Sequence, residues 1–216
     1  LLKVHFNFGH FPNLTYLDLS GNNLTYLSTD SLNITRNLEY LILTNNMLKK
    51  VQIDLDYFVS LDLGFNNLQN MSRSDIRINY KSTKSLILRQ NQINEVDLND
   101  YVFQMNYVDL SFNNISNIRK QYNYALDPTY LLLSNNKLTS LDNDLFQNKI
   151  LDSYQNKMKH LDLSANRLTG VSLTIFEPLV NLQHLNLSRN RIESNLLNNN
   201  SFTNLVKLVM LDLSVN

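Results

Sequence analysis

Apolar and polar positions recur along this chain in one fixed order, seen in "LTYLDLSGNNL" at 14–24 and again in "LEYLILTNNML" at 38–48. Within "YLDLS" the side chains alternate, so Leu17 and Leu19 take one face while Tyr16, Asp18 and Ser20 take the other. This predicts a short strand buried on one side. A single copy cannot bury its own leucines, and stacking copies into a parallel sheet sets each Leu on its equivalents above and below. Each side chain buried in this way contributes roughly 1.5–3 kcal/mol.

Aligned on the Asn, nine copies follow, ending at Asn22, Asn46, Asn66, Asn91, Asn113, Asn136, Asn166, Asn190 and Asn216. Successive spacings are 24, 20, 25, 22, 23, 30, 24 and 26 residues, the period of a solenoid built from short repeats. With 4 Gly and 3 Pro against 35 Asn, conventional turn formers are scarce. The repeated Asn takes that role: after each strand the chain bends, and an amide carries both a donor and an acceptor for the backbone groups left over. The nine are therefore expected to form a buried structural ladder. Second halves such as "LTYLSTDSL" (24–32), "LTSLDNDLF" (138–146) and "LTGVSLTIF" (168–176) are looser, predicting a convex side of irregular or short helical turns. The insertion at 147–158 is expected to bulge out as a loop. Residues 1–216 contain no linker and read as a single array of about nine repeats.

The skeleton resembles the typical animal leucine-rich repeat, L-x-x-L-x-L-x-x-N-x-L, over essentially the whole chain from Leu14. Unequal repeat lengths are similar to those of Toll-like receptor ectodomains and related invertebrate immune or adhesion proteins. The resemblance implies an α/β solenoid: a leucine-rich repeat horseshoe with a concave parallel β-sheet and an irregular or short-helical convex side. It also implies an extracellular or cell-surface location and recognition of a protein, glycan, lipid or nucleic-acid ligand by the concave or lateral face. Extracellular members close each end with a cysteine-rich cap, and this chain has no cysteine. It is therefore expected to be an internal stretch of a longer protein, with caps and any membrane span outside it.

Composition narrows the partner. Nineteen basic residues balance nineteen acidic ones, so no global charge favours nucleic acid or an anionic membrane, and no apolar run reaches a membrane span. Zero cysteine excludes thiol catalysis and disulfides. Catalytic motifs are missing too: no G-x-S-x-G, no H-E-x-x-H and no phosphate-binding glycine loop. The expected function is non-catalytic, without a cofactor, and the expected partner is a protein ligand. Self-association in an adhesive or structural assembly is the alternative, and an intracellular scaffold the third.

Candidate binding residues lie on the outward strand positions. The first outward column runs Tyr16, Tyr40, Ser60, Ser85, Tyr107, Tyr130, His160, His184 and Met210, and stiff aromatics there suit a binding surface. Lys159, His160, His184, Arg189 and Arg191 are expected to gather on the inner face or its rim in copies seven and eight, as a pH-sensitive patch for an anionic partner. A second basic group, Arg73, Arg77, Lys81, Lys84 and Arg89, surrounds copy four. Ligation of a metal by His160, His184 and Asp162 is the weaker use of the histidines. Asp18, Asp62, Asp109, Asp162 and Asp212 share one outward position and read as a solvated column rather than as acid–base pairs. Sequons place possible N-glycans at Asn13, Asn23, Asn33, Asn70, Asn114 and Asn199. A seventh, at Asn186, falls in mid-strand, where a glycan would block the concave face.

Overall fold

The computed structural model describes residues 11–28, 37–53, 59–70, 76–77, 83–97, 105–119, 127–148, 156–169, 173–193 and 202–216. Each copy contributes one three-residue strand to a nine-stranded parallel sheet: β1 (Tyr16–Asp18), β3 (Tyr40–Ile42), β5 (Ser60–Asp62), β7 (Ser85–Ile87), β9 (Tyr107–Asp109), β11 (Tyr130–Leu132), β12 (His160–Asp162), β13 (His184–Asn186) and β14 (Met210–Asp212). The strands pair in repeat order and in register, Leu17 opposite Leu41 and Leu161 opposite Leu185. Nine strands at about 4.8 Å give a face about 38 Å long.

Register follows from burial. The middle residue of each strand points inward, and Leu41, Leu61, Leu86, Val108, Leu131, Leu161 and Leu185 are essentially inaccessible. A one-residue slip in any copy would exchange such a leucine for the polar residue beside it.

The turn after each strand is built from two parts. The residue before every Asn adopts the left-handed conformation: Gly21, Asn45, Phe65, Gln90, Phe112, Asn135, Ala165, Arg189 and Val215 all have φ between 52° and 66°. Eight of the nine are not glycine, at a cost of about 1–2 kcal/mol each for an L-residue. The Asn amide offsets that cost by satisfying backbone groups of two copies together. Asn166 Nδ2 donates to the carbonyls of Leu133 in the preceding copy (3.0 Å) and of Leu163 (3.0 Å) and Ser164 (3.2 Å) in its own, while its Oδ1 accepts the N–H of Leu138 (3.0 Å). The same pattern holds at Asn46, Asn66, Asn91, Asn113, Asn136 and Asn190, each buried at 6–8% exposure.

The ladder is not buried throughout. Asn22 and Asn216, in the first and last of the nine copies, are exposed. Among the described residues Asn22 donates to the carbonyls of Leu19 and Ser20 in its own turn, whereas Asn216 reaches back to Leu187.

The convex side also departs from the expected run of turns. In the first half it carries two more parallel sheets, one of β2 (Tyr26–Ser28), β4 (Lys50–Gln52) and β6 (Ile76–Arg77), the other of β8 (Glu95–Asp97) and β10 (Asn117–Arg119). In these copies the segment after the Asn stacks in register, and an extended L-x-x-L/V pattern buries Leu27 and Val51 between neighbours. In the second half the back is instead held by phenylalanines. A 3-10 helix at Leu173–Phe176 places Phe176 between Phe146 and Phe202, with ring centroids 6.5 and 6.4 Å apart. Most of the 147–158 insertion, residues 149–155, lies outside the described residues.

Two measurements check this account. Leu163→Ala opens a cavity in a fully buried column and is expected to cost about 2–5 kcal/mol in chemical denaturation, with Ser164→Ala within about 0.5 kcal/mol of wild type. Asn166→Ala orphans buried backbone groups and should cost about 2 kcal/mol or more, well above Asn22→Ala. The left-handed turns give the second check. A Cβ at Gly21 meets nothing within 4 Å, so Gly21→Ala isolates the conformational cost and is expected to destabilise by about 1 kcal/mol, with Ala165→Gly shifting stability the opposite way. Changes of the same sign would contradict it.

Candidate binding face

Three outward positions per copy build the concave face, and strand pairing converts each position into a column. In the first column, Tyr16 (53% exposed), Tyr40 (40%) and Tyr130 (37%) remain open to solvent on a folded sheet. Tyr16 and Tyr40 sit with ring centroids 6.2 Å apart. Tyr107, Tyr130, His160 and His184 form a continuous run: 5.9 Å and tilted for the tyrosine pair, then 4.2 Å and stacked for Tyr130–His160 and for His160–His184. Parallel strands in register hold the Cβ atoms close to the strand spacing, which is why flat rings stack there.

Stacking sets the chemistry of the two imidazoles. Burial lowers the pKa of His160, and the neighbouring His184 and Lys159 lower it further. His184 has its Nδ1 buried without a hydrogen-bond partner among the described residues. Their rings lie face to face, 9° from parallel, and no group of three or more His, Asp or Glu that could hold a metal occurs among the described residues.

The second column alternates acid and aliphatic: Asp18, Ile42, Asp62, Ile87, Asp109, Leu132, Asp162, then Asn186 and Asp212. It is not simply solvated. Every carboxylate accepts a backbone N–H two residues on, from Ser20, Gly64, Ser111, Ser164 and Ser214 at 2.8–2.9 Å, and Asn186 accepts that of Ser188 at 3.1 Å. These are Asx turns that start the bend completed by the Asn ladder. Asp109 is buried and also takes the Ser111 hydroxyl. Hydrogen bonds from Ser20 hold Asp18 below the usual carboxylate range, and those from Ser214 do the same for Asp212. Burial pushes Asp62 the other way. The sequence carried a signal for this role in the Asp-x-Ser spacing of four of these copies.

The basic residues of copies seven and eight divide between the sheet and its rim. His160 and His184 begin their strands with Lys159 beside them, but Arg189 occupies the left-handed turn position and Arg191 follows the ladder Asn. Arg189 comes five positions after His184, at most about 16 Å along the chain and past the end of β13, so the two arginines belong to the rim and not to the imidazole column. Arg189 instead helps to lower the pKa of Asp212. Across the outward strand positions the face therefore carries five aspartates and one permanent cation, Arg89, whose guanidinium lies 4.9 Å over the Phe112 ring. Of the other residues in the copy-four basic group, Arg73 and Lys81 lie outside the described residues.

Among the sequons, Asn13, Asn23 and Asn70 are exposed, Asn114 is half-buried, and Asn33 and Asn199 lie outside the described residues. Asn23 and Asn114 directly follow ladder residues, off the concave sheet. Asn186 lies within it, its Oδ1 held by the N–H and hydroxyl of Ser188.

A parallel sheet of in-register leucine copies, closed at every turn by the same asparagine, defines a leucine-rich solenoid. The chain carries leucine-rich repeats: models described as leucine rich repeat match residues 156–216 and 11–27. It is similar to human (Homo sapiens) leucine-rich repeats and immunoglobulin-like domains protein 3, at 27% identity over 178 residues, covering 82% of this chain and 14% of that protein. It is also similar to lumican of Rattus norvegicus, at 26% identity over 213 residues, 95% of this chain and 59% of that protein. The chain thus spans less than two thirds of either relative. In fold it matches a chain of the TLR13–ssRNA13 complex, with a TM-score of 0.63 at 22% identity, over 98% of this chain and 34% of that one. Among the described residues no helix is long and apolar enough to cross a membrane.

The lowered His160 pKa gives a pH prediction. Below about pH 6.5 the unfolded chain takes up a proton on this residue that the folded chain resists, so its contribution to stability falls as pH drops through that value. The melting temperature of wild type is expected to decline more between pH 7 and 5.5 than that of His160→Gln. Parallel declines would show that His160 is not held below its usual range.

Proposed function

We propose that this chain is a non-catalytic recognition module that binds a protein ligand through its concave face, and that it acts outside the cell or at its surface. The observation that carries the reading is the exposed aromatic column: Tyr16, Tyr40 and Tyr130, with Phe65 and Phe112 at the turns, stand open on a sheet that no described residue covers. Large rigid rings on a preformed surface lose little entropy on contact and are enriched at interface hot spots. The length of the face, about 38 Å, matches the scale of a standard protein interface.

The arrangement of reactive groups supports a binding role over catalysis. Each of the five carboxylates of the face accepts a turn N–H, and the two imidazoles stack on each other with no nucleophile described against them. Nine strands in one sheet support treating residues 1–216 as a single repeat array. Sequons at exposed Asn13, Asn23 and Asn70, away from the sheet, support a secreted glycoprotein whose glycans leave the concave face open. A Toll-like receptor ectodomain is one form of this reading, and a self-assembling adhesive component is another.

Site-specific photocrosslinking distinguishes these forms. With the crosslinker at Tyr40 or Tyr130, capture of a different extracellular protein is expected, and Tyr130→Asp should reduce it about tenfold without lowering the melting temperature. With the crosslinker at Gln52 in β4 or Arg119 in β10, capture should be near background. Crosslinks only from those convex positions would move the interface to the back, and crosslinks only to a second copy would favour self-assembly.

A further inference from the structure

This inference rests on the concave face being the protein-binding surface, and concerns what part of a partner it receives. The ring column is interrupted. Copies one and two carry Tyr16 and Tyr40 and copies five to eight carry Tyr107, Tyr130, His160 and His184, but copies three and four carry Ser60 and Ser85. Three strand spacings, about 14 Å, therefore separate the Tyr40 and Tyr107 strands with only hydroxymethyl groups between. Half-buried Asp62 and Ile87 form the floor of this gap. Beyond Asp62 lies Gly64, where an added Cβ would stand 3.1 Å from Asp62 Oδ1 and 3.4 Å from the Arg89 carbonyl oxygen.

Asp62 differs from three of the other acids of its column, and from all four in having glycine two residues on. Asp18, Asp109 and Asp212 are each held by a serine two residues on, through both its N–H and its hydroxyl. At Asp62 that residue is Gly64, which supplies its N–H alone at 2.8 Å. The carboxylate is thus one donor short in a partly desolvated position, and the charges of Asp109 and Asp18 disfavour its ionised form further. The one cation of the face, Arg89, is turned over Phe112 and makes no ion pair with it among the described residues. A carboxylate with unused acceptor capacity, flanked by tyrosine rings on an acidic face of a neutral chain, is complementary to a cationic side chain.

We propose that the gap in copies three and four binds an arginine side chain from a basic segment of the protein partner, with Asp62 accepting its hydrogen bonds and Tyr40 and Tyr107 flanking it. Filling the gap with a ring, as the neighbouring copies do, closes the site without disturbing the column. Removing the charge with Asn keeps the turn, because Asn186 plays that part in the same column, accepting the Ser188 N–H at 3.1 Å.

Calorimetric titration of the whole chain with a blocked tetra-arginine peptide at low salt tests the site. One saturable site is expected; Asp62→Asn and Ser60→Tyr should each weaken it about tenfold or more, and Asp18→Asn less than about twofold. Melting curves of both test variants should match wild type. Equal weakening by Asp18→Asn and Asp62→Asn, absence of saturable binding, or tighter binding of a single-stranded RNA oligomer than of the peptide would each overturn the proposal. Those outcomes together with intact crosslinking from Tyr40 and Tyr130 would remove the arginine site and leave the concave interface standing.

Discussion

One side-chain amide, repeated every 20–30 residues, holds the rest of this structure in place. Each interior ladder Asn donates to carbonyls of its own copy and of the copy before it, and accepts one N–H from the copy before. The amide is therefore a rivet between turns of the solenoid as well as a cap on its own turn. Without it, backbone groups at the tightest point of every copy would be buried and unpaired, at about 1–3 kcal/mol each. That is comparable to the local cost of forcing a phenylalanine, a glutamine or a valine into a left-handed conformation, as Phe65, Gln90 and Val215 are.

The binding face depends on this arrangement because its columns exist only if copies of unequal length are brought into one register. While the spacing of copies varies from 20 to 30 residues, the convex side changes from paired short strands in the first half to stacked phenylalanines in the second. The concave side does not change. Fixed registry lets two imidazoles stack at 4.2 Å, keeps aspartates on alternate strands where their repulsion is reduced, and leaves a two-copy interruption among rings that are otherwise continuous. Charge is sorted by the same geometry: acids occupy strand ends as turn caps, while Arg189 and Arg191 fall in the turns beyond.

Most of the scaffold was legible in the sequence because its rule is strict. The Leu and Asn positions admit few alternatives, so the sheet, its register and the columns of Tyr and His could be read directly. The left-handed residue could not be read, since the position before the Asn holds Gly, Asn, Phe, Gln, Ala, Arg or Val with no common type; its conformation is imposed by the amide that follows. The aspartates looked solvated because a single strand shows only that they point outward, and their N–H partners appear once the chain turns. The spread of the basic residues was hidden for a related reason: the five positions from His184 to Arg189 carry the chain from the strand into the turn. Asn22 shows the same limit, since it carries the motif and is nonetheless exposed.

Native-state hydrogen exchange at the amides that donate to the ladder tests the central claim most directly. The N–H groups of Leu48, Leu68, Ile93, Ile115, Leu138 and Leu168 belong to no strand, yet each donates to a ladder Oδ1 of the next copy at 2.9–3.1 Å. If the amides rivet the copies together, these six should exchange as slowly as the central strand amides of β7, β9 and β11, through global or near-global opening. Exchange at the rate of exposed turns, with the strands still protected, would show that the sheet holds its register without the ladder and would contradict the account.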